Sequence, residues 1–272
     1  MANFTAHGIN QYYELHGNPV DPPVLLISGL GGIGASWGPQ VERFAERYYV
    51  ILPDQRGTGR TTRTTDGHAT EQLAADMAAL VEHLDLGPVH VVGESTGGAI
   101  AQYMALNHPD AVRSLVMSSS FARFDAYTKR EFAVRRTLLA ESDRETIYNL
   151  YAVFLFAPRY TREHPERVQA WIDRILANPV EPQDHRIAVQ RTEMIIAHDA
   201  LAKLGDIRQP TLVLCGDHDA CTPQPLSEEI AAGVPGAELA VIAEGGHLIE
   251  LEQPEEYFRI VSSFLDRQLS ND

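Results

Sequence analysis

Five residues near the middle of the chain carry the clearest chemical signal: Gly93-Glu94-Ser95-Thr96-Gly97. Val89-His90-Val91-Val92 precedes them, a β-branched run of the kind that forms a buried parallel strand. Gly98-Ala99-Ile100-Ala101-Gln102-Tyr103 follows, helical in character. A strand that turns at once into a helix holds the serine between them in a strained backbone conformation, at the positive end of the helix. Gly93 and Gly97 leave room for the close approach this demands. The Ser95 hydroxyl would then be a nucleophile, provided a base removes its proton.

Two later strand ends can supply the partners. Leu239-Ala240-Val241-Ile242 reads as a strand and leads through Glu244-Gly245-Gly246 to His247, the candidate base. The other histidines lack such a setting, and surface positions are expected for most of them. Pro210-Thr211-Leu212-Val213-Leu214-Cys215 reads as another strand and leads into Gly216-Asp217-His218-Asp219. A carboxylate here would fix the tautomer of His247 and stabilise its imidazolium. Asp219 and Asp217 compete for that role; Asp219 is favoured because it lies farther round the turn, with Pro223 four residues on. A metal site built from Asp217, His218 and Asp219 lacks a second ligand cluster at suitable spacing. A tetrahedral oxyanion needs two fixed N–H donors. The backbone N–H of Thr96 is one candidate. The second belongs in Ser28-Gly29-Leu30-Gly31-Gly32, a glycine-rich loop after the apolar strand Val24-Leu25-Leu26-Ile27, with Leu30 N–H as the choice.

These loops need a scaffold, and the order of elements describes one. Residues 3–6 and 9–15 read as an edge hairpin. Trp37, Val41, Phe44 and Tyr48 form one apolar helical stripe. Tyr49 to Pro53 is a strand ending in Asp54-Gln55-Arg56-Gly57-Thr58-Gly59. Leu73, Met77, Leu80 and Leu84 mark a helix closed by Gly87. After the central motif comes the strand Ser114 to Ser118. Alternating strands and helices predict an α/β fold, a mostly parallel, doubly wound sheet with helices on both faces. The alternation stops over residues 121–200, which show no convincing strand and read as helices broken at Pro158, Pro165, Pro179 and Pro182. Residues 1–120 and 201–272 are therefore expected to form the core, and 121–200 a helical cap. A last helix opens at Pro254.

Composition narrows the setting. At 272 residues the chain holds one large domain or a core with an insertion. Its formal net charge of −15 argues against nucleic acid and anionic membrane as partners. No apolar run is long enough to span a bilayer, and Met1 to Thr5 lacks the basic and apolar parts of a signal peptide. Two cysteines, Cys215 and Cys221, fit a reducing cytosol, so a cytoplasmic monomer or homodimer is expected.

Together these motifs place the chain, over nearly its whole length, as similar to the α/β-hydrolase superfamily. Ser95, Asp219 and His247 fall in the chain order of that superfamily's triad. Gly29-Leu30-Gly31-Gly32 with Trp37 and Gln40, followed by Asp54-Gln55-Arg56-Gly57-Thr58-Gly59, resembles 3-oxoadipate enol-lactonases and aminoacrylate (carbamate) hydrolases. Two departures stand out: Ser28 and Glu94 occupy positions where many members carry histidine. Ser28 leaves the backbone donors intact, and Glu94 sets a carboxylate beside the nucleophile. A serine at position 95, where the haloalkane dehalogenase and epoxide hydrolase branches carry aspartate, sets those branches aside.

The resemblance implies a serine hydrolase without cofactor or metal, cleaving a small ester, lactone or enol-lactone through an acyl-enzyme. Amide, carbamate or C–C bond hydrolysis, or a ligand receptor that keeps the triad, remain as alternatives. Residues 121–200 carry twelve acidic and twelve basic side chains, so the entire net charge lies on the remainder. Arginine grips carboxylates through paired N–H bonds. At least one of Arg123, Arg130, Arg135 and Arg136 is expected to reach the cleft and orient a small, acidic or polar substrate. Gly29, Trp37 and Glu94 are the further candidates to contact it.

Overall fold

The computed structural model describes residues 2–269. Eight strands form one sheet in the order β1-β2-β4-β3-β5-β6-β7-β8. β1 (Ala2–Ala6) and β2 (Ile9–His16) make an antiparallel hairpin, and β2 also pairs antiparallel with β4 (Tyr49–Pro53). β3 (Pro23–Ile27), β4, β5 (Val89–Glu94), β6 (Val112–Ser118), β7 (Thr211–Gly216) and β8 (Glu238–Ile242) run parallel.

The central strands are unbroken apolar runs because both faces of the sheet are covered. Successive side chains point to opposite faces. Leu25, Ile27, Val91, Leu115, Met117 and Val213 pack with α2 (Thr70–Leu84), α3 (Thr96–Asn107) and α9 (Gln224–Gly233). Val24, Leu26, Val92, Val116 and Leu214 pack on the other face with α1 (Gln40–Ala45) and α11 (Pro254–Leu269). Each such side chain, fully buried, contributes about 1.5–3 kcal/mol. A short helix, α10 (Ile249–Glu252), precedes α11.

Two local details differ from the sequence reading. The stripe Trp37, Val41, Phe44 and Tyr48 is buried, but it is divided between a 3₁₀ turn, Gly34–Trp37, and α1, because Gly38 adopts φ 52° ahead of Pro39. Asp85, not Gly87, closes α2, taking the left-handed conformation that a short polar side chain tolerates.

Five helices lie between β6 and β7: α4 (Ala126–Glu141), α5 (Arg144–Leu155), α6 (Pro158–Glu163), α7 (Pro165–Leu176) and α8 (Asp184–Ala197). Asp125 and Asp143 cap α4 and α5 by accepting the N–H of Thr128 and Thr146. Pro158 and Pro165 open α6 and α7, where a missing N–H is harmless. Ala152, Phe156, Val168 and Ile172 form a small core of their own, with Tyr148, Tyr160 and Trp171 packed against it. The two ends of the segment meet: Arg123 bridges Asp199, and Ala200 N donates to Ala122 O at 2.9 Å. The helices thus leave and rejoin the sheet at one point.

Backbone packs closely on backbone where β3, β5 and α3 converge. A Cβ on Gly97 would stand 2.1 Å from Ile27 O, and one on Gly93 2.3 Å from Gly97 O, both against backbone that cannot yield. Gly97→Ala should therefore lower the melting temperature by several degrees, given about 1–3 kcal/mol for an overpacked site and about 2–4 °C per kcal/mol in a chain of this size. Gly205→Ala, with nothing within 4 Å, should leave it unchanged. Equal melting temperatures would contradict this account of the junction.

Candidate active site

Ser95 sits between β5 and α3 with φ 53° and ψ −116°, a conformation that costs a non-glycine residue about 1–3 kcal/mol. The neighbours hold it there. Ser95 N donates to Ser118 O at 2.8 Å, and the Ser95 carbonyl accepts Ser120 Oγ at 2.8 Å and Gly98 N at 2.9 Å. Gly98 gives Ser120 its place, since a Cβ there would lie 2.5 Å from Ser120 Oγ. Thr96 is the first residue of α3, where a helix leaves its N–H groups without intrahelical acceptors.

His247 is buried on the loop after β8. Its Nδ1 lies 2.9 Å from Asp219 Oδ2. Asp219 is held in turn by the N–H groups of Cys221 and Thr222 at 2.9 and 2.8 Å and by Thr222 Oγ1 at 2.9 Å. Asp217 and His218 are exposed, so Asp219 is the carboxylate that meets the ring. A tight contact sets this geometry: a Cβ on Gly216 would lie 2.1 Å from Gly245 O, which brings the β7 and β8 loops together. Leu155 O, at the end of α5, accepts both His247 N and Leu248 N at 3.0 and 3.1 Å. Glu252 ties the same loop down, accepting Gly246 N and Ala157 N. The inserted helices are thereby fastened to the histidine loop.

The other ring nitrogen, His247 Nε2, lies 3.4 Å from Glu94 Oε1. Burial pushes the Glu94 carboxyl up to about 7, against the opposing pull of the His247 charge and the Gly29 N–H that it accepts. Burial disfavours a charged His247, but the Asp219 carboxylate outweighs it and holds the ring well above its ordinary value. Glu250 is also buried and lies close enough to Glu94 for the two to titrate together.

The remaining candidates separate cleanly. Of the four arginines, Arg123 pairs with Glu229 on the surface, and Arg130 and Arg136 are exposed. Those three do not enter the cleft, because they fall on the solvent side of α4 and its approach. Arg135 alone turns inward: it pairs with Glu131, lies over the Tyr151 ring and places Nη2 3.3 Å from Cys221 Sγ. Trp37 is buried against Tyr257 beneath the sheet, so it belongs to the core and not to a substrate surface. Gly29 lies against Glu94, where a Cβ would stand 2.5 Å from Oε2. Leu30 is half-buried in the loop after β3. His90 and His198 are buried and hydrogen-bonded to Ser114 and Thr70. Among the described residues no group of three or more His, Cys, Asp or Glu could hold a metal ion.

Residues 22–254 match the family model of the alpha/beta hydrolase fold. The chain belongs to that family. It is 34% identical over 261 residues, 95% of its length and 97% of the relative's, to a protein of Azorhizobium caulinodans named "Putative carbamate hydrolase RutD". Among solved structures it is similar to Est816, described as an N-acyl homoserine lactone degrading enzyme (TM-score 0.84, 26% identity, 96% and 99% of the two chains). It also shares the fold of the enol-lactonase from Burkholderia xenovorans LB400 (TM-score 0.86, 22% identity, 97% and 99% covered). No helix among the described residues is long and apolar enough to cross a membrane.

Sequence reasoning missed Thr222, which holds Asp219, Ser120, which holds the Ser95 carbonyl, and Arg191 of α8, whose Nε donates to Leu30 O at 2.8 Å. Thr222 had a visible signal, since an aspartate followed three residues later by threonine commonly closes a side-chain turn. Ser120 and Arg191 had none, because both act across distant segments.

His247 carries opposed carboxylates on its two nitrogens, which gives a direct test. Its folded value is raised, so the stabilisation it contributes is complete below about pH 6.5 and is lost as pH rises through the folded value. In ring-proton NMR titrations His247 should keep its charge above pH 6.5. Glu94→Gln removes the negative charge facing Nε2 and should move the midpoint down. A midpoint that stays or rises would show that Glu94 does not act on the ring.

Proposed function

We propose that this chain is a serine hydrolase that cleaves a small carboxylic ester, lactone or enol-lactone through an acyl-enzyme. The observations that carry the reading are the strained turn at Ser95 and His247, which meets Glu94, the residue before the serine, through Nε2 and the buried Asp219 carboxylate through Nδ1. With its ring neutral, a state that the raised titration moves to higher pH, His247 takes the Ser95 proton as Oγ bonds to the acyl carbon, and Asp219 stabilises the imidazolium that results. Leu30 N–H and Thr96 N–H receive the oxyanion. Collapse breaks the bond to the leaving oxygen, which takes the proton from His247. Water then attacks the acyl-enzyme with His247 again as base, releasing the acid and restoring Ser95. No metal or cofactor is required in these steps, and two buried thiols suit a reducing cytosol.

A carbamate as substrate is the second reading, supported by the name of the 34% identical relative. The steps are the same with an amine as leaving group. A panel of esters, lactones and carbamates offered to the purified protein, with and without EDTA, ranks the bonds.

Ser95→Ala should reduce turnover on the order of a million-fold. Asp219→Asn should reduce it on the order of ten-thousand-fold, with Asp217→Asn far milder. Turnover retained by Ser95→Ala would instead indicate direct attack by water.

Arg135 is proposed to orient an acidic or strongly polar substrate beside Cys221. Removing it alone would strand Glu131, whose carboxyl burial already raises to about 7. In a Glu131→Gln background, Arg135→Met should raise KM for an anionic ester several-fold more than for a neutral ester of equal size. Equal changes would leave specificity to the aromatic side chains of the inserted helices.

A further inference from the structure

Arg191, on α8, is among the largest fully buried side chains of the protein, with 2% of its surface exposed. A buried charge ordinarily has a partner of opposite sign. Among the described residues Arg191 has no carboxylate in ion-pair contact; its guanidinium is spent on neutral acceptors. Nε donates to Leu30 O at 2.8 Å, Nη2 to Gln55 Oε1 at 2.6 Å, and Nη1 to Arg56 O at 3.4 Å. Gln55 passes the contact on, its Nε2 donating to Ser28 O at 2.6 Å. Gly32 makes the space, since a Cβ there would stand 2.9 Å from Arg191 Nη2.

These bonds fix the loop after β3 one peptide plane at a time. Three successive carbonyls are anchored: Ser28 O by Gln55, Gly29 O by Gly32 N at 3.0 Å, and Leu30 O by Arg191. In a trans peptide the N–H points opposite to the carbonyl of its own plane. The N–H groups of Gly29, Leu30 and Gly31 are thus each set opposite to an anchored carbonyl. The Gly29 N–H meets Glu94. The Leu30 N–H keeps its direction because the planes on both sides of it cannot rotate. Hydrogen-bond donors fixed before reaction need no reorganisation when charge develops.

We propose that Arg191 is a positioning residue of the oxyanion hole: it fastens α8 to the loop that carries Leu30 and adds a fixed positive charge behind it. Hydrolysis then depends on α8 being docked against the loop after β3. The inference rests on the reading of Leu30 N–H as an oxyanion donor to a Ser95 adduct.

The test compares Arg191→Met, Arg191→Lys and Gln55→Met with the parent protein. For each, kcat and KM are measured on a p-nitrophenyl ester, with the affinity for an aryl trifluoromethyl ketone, which forms a tetrahedral adduct on serine. Removing an oxyanion donor costs roughly 100- to 1,000-fold in turnover. Arg191→Met should fall by about 100-fold in kcat, with KM within a few-fold of the parent and ketone affinity reduced in proportion to kcat. Arg191→Lys keeps the charge and should recover part of both losses. Gln55→Met releases Ser28 O and takes one acceptor from the guanidinium, but it keeps the bond from Arg191 Nε to Leu30 O, so it should lose less than Arg191→Met, again in kcat. A purely structural role would lower melting temperature without tying ketone affinity to kcat. If Arg191→Met does not fold, the other two variants carry the test, and unchanged kcat in both overturns the proposal. Should the parent bind no ketone, or Ser95→Ala keep its turnover, the serine reading fails and the inference with it. Where the parent behaves as a serine hydrolase and the Arg191 variants keep full kcat, the inference alone fails.

Discussion

The approach of β5 to α3 is the constraint on which the rest of the molecule depends. Ser95 holds a positive φ because its N–H is bonded to Ser118 at the end of β6 and its carbonyl to Ser120 just beyond, and because residues 93, 97 and 98 have no side chains. Such a conformation persists when the surroundings over-determine it. Those surroundings are a sheet covered on both faces, in which the carboxyl ends of β3 to β8 open on one side. The same geometry draws the ends of β3, β7 and β8 toward the serine and makes three distant loops into one site.

That site carries more buried acid than a single triad needs. Asp219 is satisfied by two backbone N–H groups, a threonine hydroxyl and the histidine. Glu94, Glu250 and Glu252 lie in the same neighbourhood with less support, and burial raises all three. Glu94 faces His247 Nε2 at 3.4 Å, and the charge of the ring opposes the rise that burial imposes on that carboxyl. The identity of residue 94 thus bears on His247 from the side opposite Asp219.

The inserted helices bear on this centre from three directions. The end of α5 bonds the histidine loop through Leu155 O, α4 places Arg135 beside Cys221, and α8 sends Arg191 under the loop after β3. Each contact joins a helix of the insertion to a different strand-end loop. A segment with its own small apolar core is in this way made part of the geometry at the sheet, so that movement of the helices would be felt at the serine, the histidine and the Leu30 loop together.

The parallel sheet was legible in the sequence because unbroken apolar runs alternating with amphipathic stretches admit few other packings. The turn at Ser95 was legible because Gly93 and Gly97 must be glycine for backbone to approach backbone. His247 and the stretch from Gly216 to Asp219 were legible because each follows a strand directly. These are local signals, in which residue type and immediate neighbours suffice. The choice between Asp217 and Asp219 depends on which side chain the β7–β8 contact turns inward. Trp37 went to the core and three of four arginines to the surface because the rotation of a helix is set by what it packs on, not by its charge. The same is true of Arg191, one of eleven arginines in residues 121–200, with no local mark to distinguish it. Its partners lie 135 and more positions away along the chain. Only the closed tertiary structure brings a guanidinium from one segment to the carbonyls of another, and buried charge acts through such long-range placement.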